Sequence, residues 1–307
     1  AARVRVRLGW VEGSDAAARS RAREAARTLE RLGVVRLEGR PLTALASEPR
    51  VRIEVLGGFT VTVDGAPVPV TAWRSRQART LVKLLAARRG RPLTRSAVCE
   101  LLWPDDDPAR TGHRLSVLLT TVRGVLDPDR RRAPEHHVAS DQSGLWLDLR
   151  HVALDAEDLV RESGQAAELL EEGDLTRARE VLVHLDRTYR GAAFEDEPYE
   201  PWADALREEA RAAWIGSARR LVSLPPDARR PVDVQALLVR LLAEDPYDEQ
   251  AHRLRVRSLV RAGRYGEARR AFARWTEAMR EIEAPVPDPD LLHPTTPRPA
   301  RPVASGR

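Results

Sequence analysis

Residues 101–126 read LLWPDDDPARTGHRLSVLLTTVRGVL, and this stretch decides the fold that the sequence predicts. Trp103-Pro104 ends one helix, because proline disfavours helical geometry in the residue before it. The three carboxylates that follow, Asp105, Asp106 and Asp107, suit the positive end of a helix dipole and can cap free N–H groups. The stretch therefore predicts a helix, a tight turn and a second helix.

The second helix has one apolar face when successive side chains are placed about 100° apart. That face holds Leu115, Leu118, Leu119, Val122 and Leu126. The opposite face holds Arg110, His113, Val117, Thr120, Thr121 and Gly124, with Arg114 at its edge. A helix held from behind by leucines, with short polar and basic groups in front, suits the major groove of DNA. An ordinary surface helix of a helical protein fits the same residues equally well.

Strands and capped helices surround this pair. Upstream, three short strands are predicted at residues 51–55, 59–63 and 66–70, with Asp64-Gly65 as a hairpin turn. Ser75 and Thr94 can cap two helices, one to about Arg89 and one over Arg95–Leu102. Downstream, residues 136–139 and 145–149 predict a hairpin around residues 141–144. The order of strands, three helices and a hairpin is that of a winged helix with an N-terminal sheet.

From Asp155 onward the periodicity is helical. Asp155 is predicted to cap a helix that ends at Gly173. The helices that follow are predicted at residues 175–189, 201–225, 231–244, 248–262 and 265–282. Gly173 precedes Ala178 by five residues, and Gly263 precedes Ala268 by the same spacing. A glycine that ends one helix and an alanine that lets the next approach resemble the turn of a tetratricopeptide repeat.

The predicted fold class is mainly α, with a winged helix-turn-helix and small β-sheets followed by an all-α, tetratricopeptide-like helical domain. Residues 50–150 form the first domain and residues 151–292 the second, and we expect them to fold separately. Residues 1–49 are unassigned and fit the end of an upstream domain, with a helix from Ser14 to Leu32 and extended chain over 34–42. The chain is rich in proline from Ala284, which predicts a flexible tail, disordered over residues 293–307.

The net charge of +5 conceals a division along the chain. Residues 50–150 carry 17 Lys and Arg against 11 acidic residues, whereas residues 151–292 carry 21 against 29. A basic domain beside an acidic one suggests that the first binds a polyanion and the second binds something else.

Several classes of protein are disfavoured. No run of about 18 apolar residues is present, so no membrane contact is expected. The single cysteine, Cys99, lies in an apolar helical context and is interpreted as a packed thiol, which fits a cytoplasmic location. His136-His137 lacks the spacing of a metal site, and Asp105 to Asp107 adjoin a helix start with no nucleophile nearby. We therefore expect neither an enzyme nor a cofactor, and interpret six tryptophans as core residues: Trp73, Trp103, Trp146, Trp202, Trp214 and Trp275.

Residues 50–292 resemble the SARP family of bacterial regulators, in which a winged helix precedes a bacterial transcriptional activator domain (BTAD). The matching segments are 51–56, 101–105 (LLWPD), 115–126, 194–196 (FED) with Pro201-Trp202, 242–252 (LAEDPYDEQAH), and Ala262-Gly263-Arg264 with Glu267-Ala268 and Phe272. The resemblance implies DNA binding by the winged helix and transcription activation. It also implies that the helical domain contacts RNA polymerase or other proteins and supports a homo-oligomer.

The candidate DNA-binding residues are Arg110, Thr111, His113, Arg114, Val117, Thr120, Thr121 and Arg123. So few base-reading groups in one copy predict binding to direct repeats in double-stranded DNA. Where the family carries several basic residues, residues 117–124 keep only Arg123, and the wing at 140–144 has none. The alternative is therefore a protein-interaction scaffold or signalling module whose winged helix does not read DNA.

Overall fold

The computed structural model describes residues 36–37, 40–41, 50–225 and 232–292. The strands are β1 (Arg36–Leu37), β2 (Arg40–Pro41), β3 (Val51–Glu54), β4 (Thr60–Val63), β5 (Ala66–Pro67), β6 (Val138–Ser140), β7 (Leu145–Leu147) and β8 (Val152–Leu154). The helices are α1 (Arg76–Ala87), α2 (Arg95–Leu102), α3 (Pro108–Leu126), α4 (Asp155–Glu171), α5 (Leu175–Thr188), α6 (Asp204–Ser223), α7 (Val234–Glu244), α8 (Glu249–Arg261) and α9 (Tyr265–Glu281). Short 3-10 helices lie at Val70–Trp73, Pro201–Ala203 and Pro289–Leu292.

The winged helix-turn-helix has the predicted order and nearly the predicted bounds. Ser75 accepts a hydrogen bond from the Gln77 amide at 3.2 Å, and Thr94 accepts one from the Ala97 amide at 3.2 Å, so α1 and α2 begin at their predicted caps. The helix pair of residues 101–126 forms α2 and α3, and β6 and β7 form the predicted hairpin. The mainly α fold class is confirmed.

The sheet, the three helices and the wing all contribute buried apolar side chains. The apolar face predicted for α3 is buried throughout, since each of its five residues is at most 6% exposed. The core residues of this region are Val51, Ile53, Val61, Leu81, Val82, Leu85, Val98, Leu115, Leu118, Leu119, Val122, Leu126, Val138, Leu145 and Leu147. Trp73, Trp103, Trp214 and Trp275 are also buried, whereas Trp146 and Trp202 are half-buried.

An additional strand extends the N-terminal sheet. β8 pairs in parallel with β3, with Val51 opposite Val152, and gives the sheet order β5-β4-β3-β8. Sequence periodicity did not predict this strand, which lies just after the boundary expected at residue 150. The structure divides into two compact units between Ser217 and Ala218, so that residues 151–217 share a unit with the winged helix.

The carboxylate of Asp155 joins this sheet to α4. The amides of Val55 and Leu56, just past the end of β3, donate to its oxygens at 2.9–3.1 Å, and the Ala156 amide donates at 2.8 Å. The predicted role as a helix cap is wrong, because Asp155 is the first residue of α4 and Leu154 occupies the cap position. Burial raises the pKa of the Asp155 carboxyl to about 6, although the N–H donors act to lower it.

A second set of contacts fixes the segment before α6. Phe194 is fully buried and its amide donates to the Val55 carbonyl at 2.8 Å. Lys83 of α1, which is 2% exposed, forms ion pairs with Asp196 and Glu197 and lies 5.1 Å from the centre of the Phe59 ring. The FED motif at residues 194–196 therefore packs on the winged helix rather than within a separate helical domain.

The helical hairpins have the predicted turns. Gly173 and Gly263 adopt φ of 79° and 71°, a left-handed backbone that favours glycine after a helix. Ala178 and Ala268 are fully buried, as expected where the following helix approaches closely. The pairs α4–α5 and α8–α9 have this form, each within its own compact unit.

Residues 284–292, the last ones described, differ from the flexible tail that the sequence predicted. Ala284, Leu291 and Leu292 pack partly buried against the core of α8 and α9, so residues 284–292 are not a flexible tail. Their apolar side chains, spaced between prolines, account for this packing. Residues 293–307 and the helix predicted from Ser14 to Leu32 lie outside the described residues, whereas β1 and β2 agree with the extended chain predicted over 34–42.

Asp155→Asn should remove a pH dependence of stability that the parent chain possesses. Because folding raises the pKa of Asp155 from 3.8 to about 6, the folded state binds the proton more tightly. The contribution of Asp155 to the free energy of unfolding is therefore fully present below pH 3.8. It is lost as the pH rises through about 6. Urea unfolding should show the parent losing up to about 3 kcal/mol relative to the variant across this window.

The matched control is Asp158→Asn, on the same helix but half-buried. Asp158→Asn leaves the Asp155 carboxylate and its amide donors in place, so this variant should retain the parent's loss of stability between pH 3.8 and about 6. A stability difference between the parent and Asp155→Asn that stays constant with pH would contradict the assignment.

Candidate nucleic-acid interface

The exposed face of α3 is the one that the sequence predicted. Arg110, His113 and Thr120 are exposed, and Val117 is 55% exposed although it is apolar. The Thr120 hydroxyl donates to the Ser116 carbonyl at 3.1 Å, one turn earlier. This bond engages the hydroxyl proton, so the exposed face combines the side chains of Val117 and Thr120 with the exposed Arg110.

Thr121 lies at the border of this face and Thr111 lies behind it. The Thr121 hydroxyl donates to the Val117 carbonyl at 3.2 Å, and its side chain is half-buried. Thr111 is only 3% exposed, so its assignment to the DNA-contacting set is wrong. The helical period explains this, because Thr111 lies one turn before Leu115 on the buried face.

Arg114 supports the turn that precedes α3. Its guanidinium lies 4.6 Å from the centre of the Trp103 ring and forms an ion pair with Asp106. Trp103 is 6% exposed, so the stacked arginine covers one side of a core residue. The Arg114 side chain remains 45% exposed, which leaves it accessible at the edge of the face.

Arg123 is bound to the wing. Its Nη2 atom donates to the Val138 carbonyl at 3.1 Å and to the Ser140 hydroxyl at 3.3 Å, and it lies 4.0 Å from the Glu135 carboxylate. The sequence predicted a charge available for DNA at this position. The structure instead places most of that side chain against β6 and against Glu135, which precedes this strand.

The wing is anchored on its other side by Leu93. The amides of Leu93 and Leu145 donate to each other's carbonyls at 2.9 Å, which adds a bridge from the loop before α2 to β7. Gly144 has φ of 139°, and a Cβ atom there would lie 2.2 Å from the Leu93 carbonyl oxygen. Only glycine fits this close approach, which the sequence indicated as a turn but could not assign to a partner.

The wing tip is acidic. Asp141 accepts from the amide and the hydroxyl of Ser143 at 2.7 and 2.6 Å, and the hydroxyl bond holds the pKa of its carboxyl below the usual value. A carboxylate that stays ionised at the tip disfavours an approach to phosphate. Any phosphate contacts must therefore come from other parts of this domain.

Three histidines pack together near the start of the wing. The His136 and His151 rings stack with centroids 3.7 Å apart, and His137 lies edge-on to His136 at 4.8 Å. Burial, followed by the effect of His136, lowers the pKa of His137 to about 4, so this ring is neutral at pH 7. Within the described residues, no group of three or more His, Cys, Asp or Glu residues has a geometry that could hold a metal ion.

Two further features were missed in the sequence. Ser116 is exposed between His113 and Val117 on the front of α3. Arg130, Arg131 and Arg132 form an exposed run in the loop after α3, where Arg131 pairs with Asp129 at 3.0 Å. The run of three arginines in the sequence was the available signal for a basic, exposed loop.

The sequence predicted that Cys99 is a packed thiol. Its side chain is half-buried, so it is less enclosed than predicted.

Residues 154–286 match the family described as "Bacterial transcriptional activator domain". The winged helix-turn-helix is thus followed by a segment that matches this family, and this order resembles that of SARP-type regulators. This match and the relatives below confirm the resemblance to that class. Among the described residues, no helix has both the length and the apolar character needed to cross a membrane.

Two curated relatives are regulators. The chain is 27% identical over 216 residues to the regulatory protein AfsR of Streptomyces coelicolor, covering 67% of this chain and 21% of AfsR. It is 24% identical over 248 residues to the transcriptional regulatory protein EmbR of Mycobacterium bovis, covering 80% of this chain and 62% of EmbR. The chain thus spans about a fifth of one relative and about three fifths of the other.

A solved structure shares the fold. It is that of Mycobacterium tuberculosis EmbR in complex with a low-affinity phosphopeptide, with a TM-score of 0.58 and 23% sequence identity. The alignment covers 80% of this chain and 63% of that one.

Trp103→Ala should destabilise the protein by about 3–5 kcal/mol, the range for truncating a buried aromatic side chain. Trp103 is 6% exposed and supports both the turn and the stacked Arg114. Leu101→Ala is the matched control, because Leu101 is 46% exposed and its loss should cost about 0.5 kcal/mol. Thermal or urea unfolding measures both. Equal effects of the two substitutions would show that Trp103 is not a core residue of the turn.

Proposed function

We propose that the chain is a DNA-binding transcriptional regulator of the SARP type, and that it acts as an activator. The observation that carries the proposal is α3. Its leucine face is buried, whereas Arg110, His113, Val117 and Thr120 lie outward. A rigid helix with this exposed face suits the major groove. The activator-domain match at residues 154–286 supports a role in transcription.

The chemistry of the face favours thymine-containing sites. The methyl groups of Val117, Thr120 and Thr121 can contact the thymine methyl group. The Thr120 and Thr121 hydroxyls donate to backbone carbonyls, so their oxygens can accept a hydrogen bond from a base amino group. Arg110 contacts a phosphate in this proposal, and His113 adds a donor for a guanine edge or a phosphate. In this proposal Arg114 contributes from the edge of the face while it supports the turn.

The limited set of base-reading groups favours more than one copy on the DNA. Two or more half-sites in direct repeat, roughly 34–36 Å apart, would supply the specificity that one helix lacks. The proposed partners are therefore double-stranded DNA with direct repeats and a second copy of the chain. RNA polymerase or another protein would bind through residues 151–292, and residues 50–150 would hold the DNA.

The proposal assigns the protein no enzymatic activity and a cytoplasmic location, where the DNA lies. A protein-interaction scaffold is the second candidate function. It is favoured by the acidic Asp141 at the wing tip and by the engagement of Arg123 with the wing. Mobility shifts on genomic fragments upstream of neighbouring genes, at two salt concentrations, separate the two functions. Absence of binding at low salt would favour the scaffold.

Arg110→Ala should weaken binding to every DNA sequence, because an exposed arginine contacts phosphate without reading bases. The slope of log affinity against log salt should flatten by about 0.9, the value for one lost phosphate contact. Arg261→Ala, which removes the same charge from α8, is the control and should keep the parent slope. If Arg110→Ala binds as well as the parent, the assigned DNA face is wrong.

A further inference from the structure

We propose that Arg123 is a positioning residue that holds the wing beside α3 and makes no contact with DNA. The inference rests on the proposed function, because it concerns how the DNA-binding face is arranged. It separates two arginines of α3 that look equivalent in the sequence. Arg110 is exposed and available to phosphate, whereas the Arg123 guanidinium is hydrogen-bonded to the Val138 carbonyl.

The bonds of Arg123 reach the first strand of the wing and the chain before it. Its guanidinium donates to the Val138 carbonyl at 3.1 Å and to the Ser140 hydroxyl at 3.3 Å. The Ser140 hydroxyl in turn donates to the Glu135 carboxylate at 2.9 Å, and that carboxylate lies 4.0 Å from the guanidinium. One side chain of α3 thereby organises three acceptors on the wing side.

Arg123 is less accessible to solvent than the other basic residues of α3. Its side chain is 24% exposed, and its Nε atom is buried with no hydrogen-bond partner in the described part of the chain. A move toward a phosphate would leave the Val138 carbonyl without this donor and Glu135 without its nearby cation. The loss of these contacts opposes a move of the Arg123 guanidinium toward a phosphate.

Besides the buried side chains of Val138, Leu145 and Leu147, the wing is held by hydrogen bonds to the loop before α2 and to Arg123. Leu93 bonds to Leu145 of β7, while Arg123 bonds to β6, so the two strands are held from different sides. Loss of the Arg123 bonds should release β6 from α3 and leave the Leu93 bridge intact. The wing would then lose its fixed position relative to the reading face without unfolding of the domain.

Arg123→Met and Arg110→Met provide the decisive comparison, because both remove one charge from α3 and retain an unbranched side chain. Arg123→Met should keep the parent salt slope and reduce binding to a direct-repeat site about tenfold, with non-specific binding unchanged. Arg110→Met should flatten the slope by about 0.9 and weaken both kinds of DNA alike. Ser140→Ala should give a smaller loss that is not additive with Arg123→Met.

Hydrogen exchange on the free protein tests the same proposal without DNA. Arg123→Met should speed exchange of the β6 and β7 amides at least about tenfold, whereas Arg110→Met should leave it unchanged. A flattened slope for Arg123→Met, or wing exchange equal to that of the parent, would overturn the positioning role. If the parent binds no DNA, the proposed function fails, and the exchange measurement still decides the role of Arg123.

Discussion

The buried carboxylate of Asp155 is the contact on which the arrangement of residues 50–217 depends. It accepts the amides of Val55 and Leu56, which are at most 1% exposed and would otherwise lie buried beyond the end of β3 without an acceptor. The preceding β8 pairs with β3, so strand and carboxylate together fix where α4 begins. Placing an ionisable group there carries a desolvation cost, which appears as its raised pKa.

The contacts of Lys83 and Phe194 also connect the winged helix to the segment before α6. Lys83 belongs to α1, which also packs against α3, so one helix contacts both α3 and the segment that holds Asp196 and Glu197. The winged helix and the first helical hairpin therefore belong to one compact unit. In the proposed regulator, the position of the first hairpin is thereby set with respect to the helix that reads DNA.

Local patterns predicted most of the winged helix, whereas its long-range partners needed the structure. Ser75 and Thr94 mark helix starts through bonds to amides two or three residues away, which spacing alone can indicate. β8 is three residues long and pairs with a strand about a hundred residues earlier, so no local period identifies it. Arg123 has an evident charge in the sequence, but its acceptors on the wing depend on tertiary packing.

The central claim is that the winged helix and the first helical hairpin form one folding unit. Thermal unfolding of two fragments, residues 50–217 and residues 50–150, tests it most directly. The longer fragment should unfold in one cooperative transition. The shorter should show none, because it lacks β8, Asp155 and Phe194. A cooperative transition of residues 50–150 at the same midpoint would contradict the claim and restore a domain boundary at residue 150.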